Sequence, residues 1–262
     1  MPEAPAHPCR LMNSRTLIAV GVLKKSLAGY PVSVILAGHS ISFEAETKSL
    51  SFIIAGEDFI GGNVTGNKIL PLDLLVTAPN KIAAMVLSRL GLNKVIFARK
   101  CEMKKVARDE AAQFIDTYHF LNYTASTLNF GLFLEQELLA IASFSSGRKM
   151  HRLPEYLRCF ELMRFCCLPG ITVAGGLTRL VKNFCIEKKA GDVMTYVDRQ
   201  FSDGRAFAKA GFVRVGETPP ISFLVNRQTF ERVPFKEILY NKEKYYVTQN
   251  SGNIKMIFSC HG

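Results

Sequence analysis

Residues 161–180, ELMRFCCLPGITVAGGLTRL, and residues 194–212, MTYVDRQFSDGRAFAKAGF, decide the fold. The first opens on an apolar strand, Phe160–Cys167, interrupted by Glu161 and Arg164, and runs through the pair Gly175-Gly176 into a helix expected over Leu177–Ile186. The second completes a buried strand, Gly191–Val197, and continues into a short helix, Ser202–Ala210, that stops at Gly211. Strands alternating with helices through glycine turns are the pattern of an α/β fold.

Working outward, the same pattern holds. Val95–Arg99 reads as a strand and Arg108–Thr117 as a helix with Ala111, Ala112, Phe114 and Ile115 along one face. Leu128–Phe133 and Glu137–Phe144 form a hairpin through Glu135-Gln136, and Phe212–Val215 and Ile221–Val225 close the set of strands. Upstream, residues 1–13 carry Pro2, Pro5 and Pro8 and read as a loose lead-in. A helix follows over Ser14–Leu27, capped by Asn13 or Ser14. Strands are expected at Val32–Ala37, Ser40–Glu46 and Leu50–Ala55, turns at Gly61-Gly62-Asn63 and Gly66-Asn67, and a helix at Lys81–Leu90. The chain therefore divides into a small α/β unit, 1–94, and a larger α/β domain, 95–262. Glu46-Thr47-Lys48 has the Glu-x-Lys form of a magnesium-dependent nuclease, but the preceding strand offers no acidic partner, so it reads as a solvated strand end.

The chain has 262 residues, 48% of them hydrophobic and 21% charged, which excludes disorder, collagen and coiled coil. Lys+Arg number 33 against 22 Asp+Glu, a formal charge of +11 spread over both halves, which favours a polyanionic partner. No apolar run is long enough for a membrane span. Leu17–Leu23 is a short apolar core, but Lys24-Lys25 follows it and no cleavage site matches a signal peptide, so a cytoplasmic location is expected. Seven scattered cysteines without a CxxC fit reduced thiols rather than a disulfide frame or a zinc site, and the dispersed histidines offer no metal cluster.

The candidate chemistry gathers between Glu161 and Phe212. Val173, Ala174, Gly175, Gly176, Leu177, Thr178 and Arg179 sit between a strand and a helix, where glycines admit a ligand close to the backbone and the helix start favours a pyrophosphate. A plain tight turn explains the same glycines. Asp198 and Arg164, on neighbouring strands, are expected to meet in one cleft, either as a site or as a structural ion pair. Ser202 reads as a ligand or as a helix cap. Phe120 and Tyr123, taken with Arg148, Lys149 and Arg152, suit stacking on a base or the edge of a hairpin, and His119 reads first as a loop histidine.

Leu162-Met163-Arg164-Phe165, Gly175-Gly176-x-Thr178-x-Leu180, Tyr196-Val197-Asp198-Arg199-x-x-Ser202-x-Gly204 and Lys209-Ala210-Gly211-Phe212 together resemble the bacteriophage family related to the Mom DNA-modification protein of phage Mu. That family belongs to the GNAT (Gcn5-related N-acetyltransferase) fold. Ala98-Arg99-Lys100-Cys101, Tyr118-His119-Phe120-Leu121 and Gly252-Asn253-Ile254-Lys255 look like its opening strand, substrate loop and closing segment. The resemblance covers about 95–262.

The resemblance implies a GNAT-like mixed central sheet flanked by helices, with an acyl-CoA (acetyl-CoA among the candidates) on the loop 173–179. It implies transfer to the exocyclic amino group of adenine in double-stranded phage DNA, protecting it from host restriction. Arg164, Thr178 and Asp198 take the catalytic positions, with Tyr118, His119, Tyr123, Arg199 and Ser202 on the substrate side. Such an enzyme must flip the base or act on an opened strand. Two departures from GNAT patterns stand out: Phe207 occupies the place of a tyrosine general acid, and the glycine loop is shorter than usual. The competing expectations are a DNA-binding module that has lost transfer, and an acyltransferase for a protein or small-molecule amine. Asp198→Asn and Arg164→Ala are expected to abolish modification while leaving the fold cooperative. The sequence leaves the role of the N-terminal unit open, and its charge offers contact with DNA or with a second copy of the chain as candidates.

Overall fold

The computed structural model describes residues 14–57, 68–126 and 128–260. The lead-in, the Asn13 cap, Cys9 and the turns expected at 61–67 lie outside the described residues. In chain order the elements are α1 (Ser14–Leu27), β1 (Ser33–Ala37), β2 (Ser40–Ala45), β3 (Lys48–Ala55), β4 (Lys68–Pro71), α2 (Leu72–Thr77) and α3 (Pro79–Leu90). Then come β5 (Lys94–Phe97), a 3-10 turn (Ala98–Lys100), β6 (Glu102–Lys105), α4 (Arg108–Tyr118), β7 (Leu128–Leu134), β8 (Glu137–Phe144), β9 (Cys159–Cys167) and β10 (Ile171–Ala174). The chain ends with α5 (Gly176–Lys188), β11 (Asp192–Asp198), α6 (Arg205–Lys209), β12 (Val213–Glu217), β13 (Ser222–Asn226), β14 (Arg232–Pro234), a 3-10 turn (Glu237–Leu239), β15 (Tyr245–Gln249) and β16 (Asn253–Ser259).

Two compact units result, one of Met1–Leu90 with Ser222–Thr248 and one of Gly91–Ile221 with Gln249–Gly262. The sequence suggests a single division near residue 94; in the structure the chain returns to its first unit for 222–248. In that unit β1, β2 and β3 form an antiparallel meander and β4 joins β3 in parallel. Ile41, Phe43, Phe52, Ile54 and Leu70 are buried, as are Ala19, Leu23 and Leu27 of α1 and Ile82, Val86 and Leu90 of α3 at helical spacing. Phe43 and Phe52 meet edge to face at 6.1 Å. Asp73 of α2, 1% exposed, takes a bidentate ion pair from Arg232 of β14 at 2.7 and 2.9 Å, which ties the returning segment to the helix. Glu46 and Thr47 lie exposed in the β2–β3 turn.

The second unit is built on a seven-stranded mixed sheet in the order β12-β16-β11-β9-β8-β7-β6, with a separate parallel pair β10-β5. This mixed sheet flanked by helices is the architecture expected from the sequence. The apolar face of α5, Leu177, Leu180, Val181, Phe184 and Cys185, is buried against it, and Phe184 stacks on Phe144 at 3.8 Å and meets Phe160 edge to face at 5.0 Å. Each such side chain contributes about 1.5–3 kcal/mol by leaving water.

The parallel ladder between β9 and β11 has only three residue pairs, Cys159–Glu161 with Asp192–Met194. The Thr195 hydroxyl donates to the Leu162 carbonyl at 3.0 Å, and beyond it β9 stays with β8 while β11 stays with β16 through Asp198. The sheet is therefore opened between the carboxyl ends of two adjacent strands, the place where α/β folds put their sites.

Cys185 and Cys260 form a disulfide, against the expectation of reduced thiols throughout; it fixes α5 to the turn after β16. Cys101, Cys159, Cys166 and Cys167 take no part in a disulfide. No helix among the described residues is long and apolar enough to cross a membrane.

Candidate active site

The parallel pairing of β5 with β10 sets Phe97 opposite Ala174, so the segments leaving both strands lie side by side. They enclose a cleft of about 590 Å³ lined by Phe97, Ala98 and Arg99 on one wall and by Ala174, Gly175, Thr178 and Arg179 on the other. Gly175 is the N-cap of α5, with φ of 76°. A β-carbon there would lie 3.9 Å from the Ala98 β-carbon, so its glycine is required by backbone conformation and not by crowding. No side chain caps the helix, and its first internal bond runs from the Arg179 N–H to the Gly175 carbonyl, which leaves the N–H groups of Gly176, Leu177 and Thr178 at the helix start.

The candidate donor residues thus divide. Ala174, Gly175, Thr178 and Arg179 line the cleft. Val173 and Leu177 are buried in the core and fix the loop from behind, and Gly176 is packed against Val173 and Leu132. The Arg179 guanidinium donates to the carbonyls of Ala98 and of Cys101, the latter at 2.7 Å, so it braces the opposite wall. Phe97 and Arg99 are cleft residues that the sequence reading did not assign to the donor. Their signal is pairing between strands some 77 positions apart, which no local pattern carries.

Arg164 and Asp198 both stand at the open end between β9 and β11, but each is held by other groups. Arg164 Nε donates to the carbonyls of Leu121 and Asn122 at 3.2 and 3.0 Å, and Nη1 to that of Met163 at 2.7 Å. Burial lowers its pKa, and nearby Glu161 raises it. The Asp198 carboxylate accepts the Gln200 N–H at 2.8 Å and the Asn250 amide at 3.3 Å, while the Asn250 oxygen accepts the N–H groups of Ile221 and Gly252. Asp198 thus connects to the turn before β16, on the side of β11 away from β9.

The substrate-side candidates surround the same opening. Tyr118 meets Phe114 edge to face at 4.9 Å within a satellite core. His119 Nδ1 accepts the Leu121 N–H at 3.0 Å. Phe120 stacks on Phe201 at 4.7 Å, which joins the loop after α4 to the loop after β11. The Tyr123 hydroxyl pairs with Ser126 at 2.7 Å and its N–H donates to Asp116. Burial raises the Tyr123 pKa, but hydrogen bonds from Ser126 and Asn129 prevail and leave it lowered. Arg199 is paired with Glu217 at 2.8 Å. Ser202 accepts the Gly204 N–H at 3.2 Å, a turn-forming role three residues before the start of α6, whose N-cap is Gly204. Phe207 packs edge to face on Phe212, with no proton to give.

The expected grouping of Phe120 and Tyr123 with Arg148, Lys149 and Arg152 is not what the structure shows. Arg148 bridges to Cys159 and Arg152 binds Asp192, both at the starts of β9 and β11, whereas Phe120 lies beside the end of β11, about 20 Å further along the strand. Among the described residues no group of three His, Cys, Asp or Glu is placed to hold a metal ion.

Several solved structures are similar to this chain. Arabidopsis thaliana Naa50 in complex with the bisubstrate analogue CoA-Ac-MVNAL matches with TM-score 0.41 and 10% identity, covering 61% of this chain and 99% of that one. The ribosomal-protein-S18-alanine N-acetyltransferase from Escherichia coli matches with TM-score 0.37 and 12% identity, over 61% and 94%. A spermidine N-acetyltransferase SpeG chimera from Vibrio cholerae and hSSAT matches with TM-score 0.38 and 11% identity, over 62% and 96%. No family model and no curated protein matches the chain.

Proposed function

We propose that the unit formed by Gly91–Ile221 and Gln249–Gly262 is a GNAT-type, acyl-CoA-dependent N-acyltransferase. The observation that supports this reading best is the cleft at the ends of β5 and β10, where backbone N–H groups of an uncapped helix start and the Arg99 side chain meet without an acidic lining residue. That donor set suits a pyrophosphate. An acyl-CoA, when bound, supplies a thioester carbonyl.

The chain's residues then have separate tasks. The N–H groups of Gly176, Leu177 and Thr178 and the Thr178 hydroxyl hold and orient the donor. Arg164 uses one N–H group on the loop carbonyls of Leu121 and Asn122 and one on the Met163 carbonyl of its own strand, and keeps three for a substrate oxygen or phosphate. Asp198, steadied by Gln200 and Asn250, receives the proton of an acceptor amine. Phe207 provides no acid, and an ordinary thiol, with a pKa of about 8.5, leaves near neutral pH without one.

The finer proposal is that the acceptor is the exocyclic amine of adenine in phage DNA. It is supported by the resemblance carried on Arg164, Gly175-Gly176, Thr178 and Tyr196–Ser202, and by the charge of +11. The test incubates the full chain with acyl-CoA and DNA, then digests to nucleosides for mass spectrometry. A mass-shifted adenosine is expected. Acyl transfer to a peptide or polyamine with unmodified DNA would overturn the adenine reading alone, and no consumption of acyl-CoA on any amine would overturn both.

A further inference from the structure

Phe97 and Arg99 form a wall of the cleft with chemistry of its own. Phe97 is a large apolar side chain, 48% exposed, at the last position of β5. The Arg99 guanidinium lies 4.9 Å from the centre of its ring. Among the described residues Arg99 has no ion pair, whereas Arg179, the other arginine of the cleft, is fixed on the carbonyls of Ala98 and Cys101. Stacking on a ring orients a guanidinium while leaving its N–H donors free, and an uncompensated cation beside an exposed aromatic face suits a planar base carrying a phosphate.

We propose that Phe97 and Arg99 seat the nucleotide tail of the donor, a purine nucleoside phosphate, with the base against Phe97 and the phosphate on Arg99. This rests on the donor reading above and adds a second contact area to the Gly175–Thr178 loop. The register supports it: Phe97 pairs with Ala174, so the wall and the loop face each other across one cleft, and a single extended ligand reaches both. Specificity for the tail then resides in β5 and the turn that follows it, and specificity for the pyrophosphate in α5.

The experiment is isothermal titration of the full chain and its variants with CoA, 3′-dephospho-CoA and 4′-phosphopantetheine. The wild type is expected to bind CoA on the order of tenfold more tightly than either shortened ligand. Arg99→Ala should equalise CoA and 3′-dephospho-CoA, and Phe97→Leu, which keeps an apolar side chain without the ring, should narrow the gap between CoA and phosphopantetheine. Arg99→Lys should restore part of the phosphate preference, since it keeps the charge but not the fork. Equal wild-type affinity for all three ligands would overturn the nucleotide seat and leave the donor reading standing. Equal weakening of all three ligands in Arg99→Ala would do the same, because it would mark Arg99 as a scaffold of the cleft. Absence of binding to all three would overturn both.

Discussion

Replacing Arg164 by Met keeps the apolar stem and removes the guanidinium, and it separates two roles that the sequence joined. In the structure Nε is shared between the carbonyls of Leu121 and Asn122, and Nη1 serves that of Met163. Hydrogen bonds to a charged group stabilise by about 1.5–3 kcal/mol each, so two donating N–H groups contribute about 3–6 kcal/mol at most. Leu121 and Asn122 are exposed, and their carbonyls regain water once released. The variant also escapes the desolvation that lowers the Arg164 pKa. The net loss is then about 2 kcal/mol, concentrated on the loop 119–122. Hydrogen exchange reads it directly: amides of this loop should exchange roughly thirtyfold faster, with strand β8 unchanged. Transfer should fall together with loop order. Unchanged loop exchange with transfer abolished would refute the bracing role and leave Arg164 only its action on the substrate.

Further outcomes follow from contacts elsewhere. Asp73→Asn leaves Arg232 without its counter-ion in a buried setting and should cost about 3 kcal/mol in urea denaturation, while Asp73→Leu with Arg232→Met should recover much of it; a loss below about 1 kcal/mol for the single variant would show that the returning segment is held by other contacts. Reduction of Cys185–Cys260, which spans 75 residues, should remove up to about 4 kcal/mol on the chain-entropy estimate and lower Tm; identical melting with and without reductant contradicts it. Gly252→Ala forces a β-carbon onto the Thr218 carbonyl oxygen at φ of 75°, so it should destabilise by about 2 kcal/mol or more and disturb the turn through which Asn250 holds Asp198. Wild-type Tm and transfer in that variant would remove the turn from the account of Asp198.

What the sequence revealed and what it hid have a common physical origin, the distance over which residues inform one another. Helices α1, α3, α4 and α5 and the hairpin β7–β8 were legible because apolar spacing within a dozen residues reports the buried face. β6, with Glu102, Lys104 and Lys105 exposed, was not, because an edge strand with polar side chains has no period to read. Strand β14 and the short α2 were missed through brevity, and β15 and β16 because their partners are supplied by distant segments. The candidate site shows the same division. Gly175-Gly176 declared a loop, since φ of 76° demands glycine locally. That Arg164 holds residues 121–122, and that Asp198 answers to Asn250, depends on pairs 42 and 52 positions apart. A charged residue at a strand end advertises chemistry in sequence whether it faces a substrate or a carbonyl. The consequence for this chain is concrete: the pair most exposed to suspicion as an acid–guanidinium couple is bound into two different loops, on opposite sides of β11. Phe120 on Phe201 joins the loop held by Arg164 to the loop that begins at Asp198. Coupling between Arg164 and Asp198 therefore runs through an aromatic stack, and Phe120→Ala should weaken transfer without touching either charge.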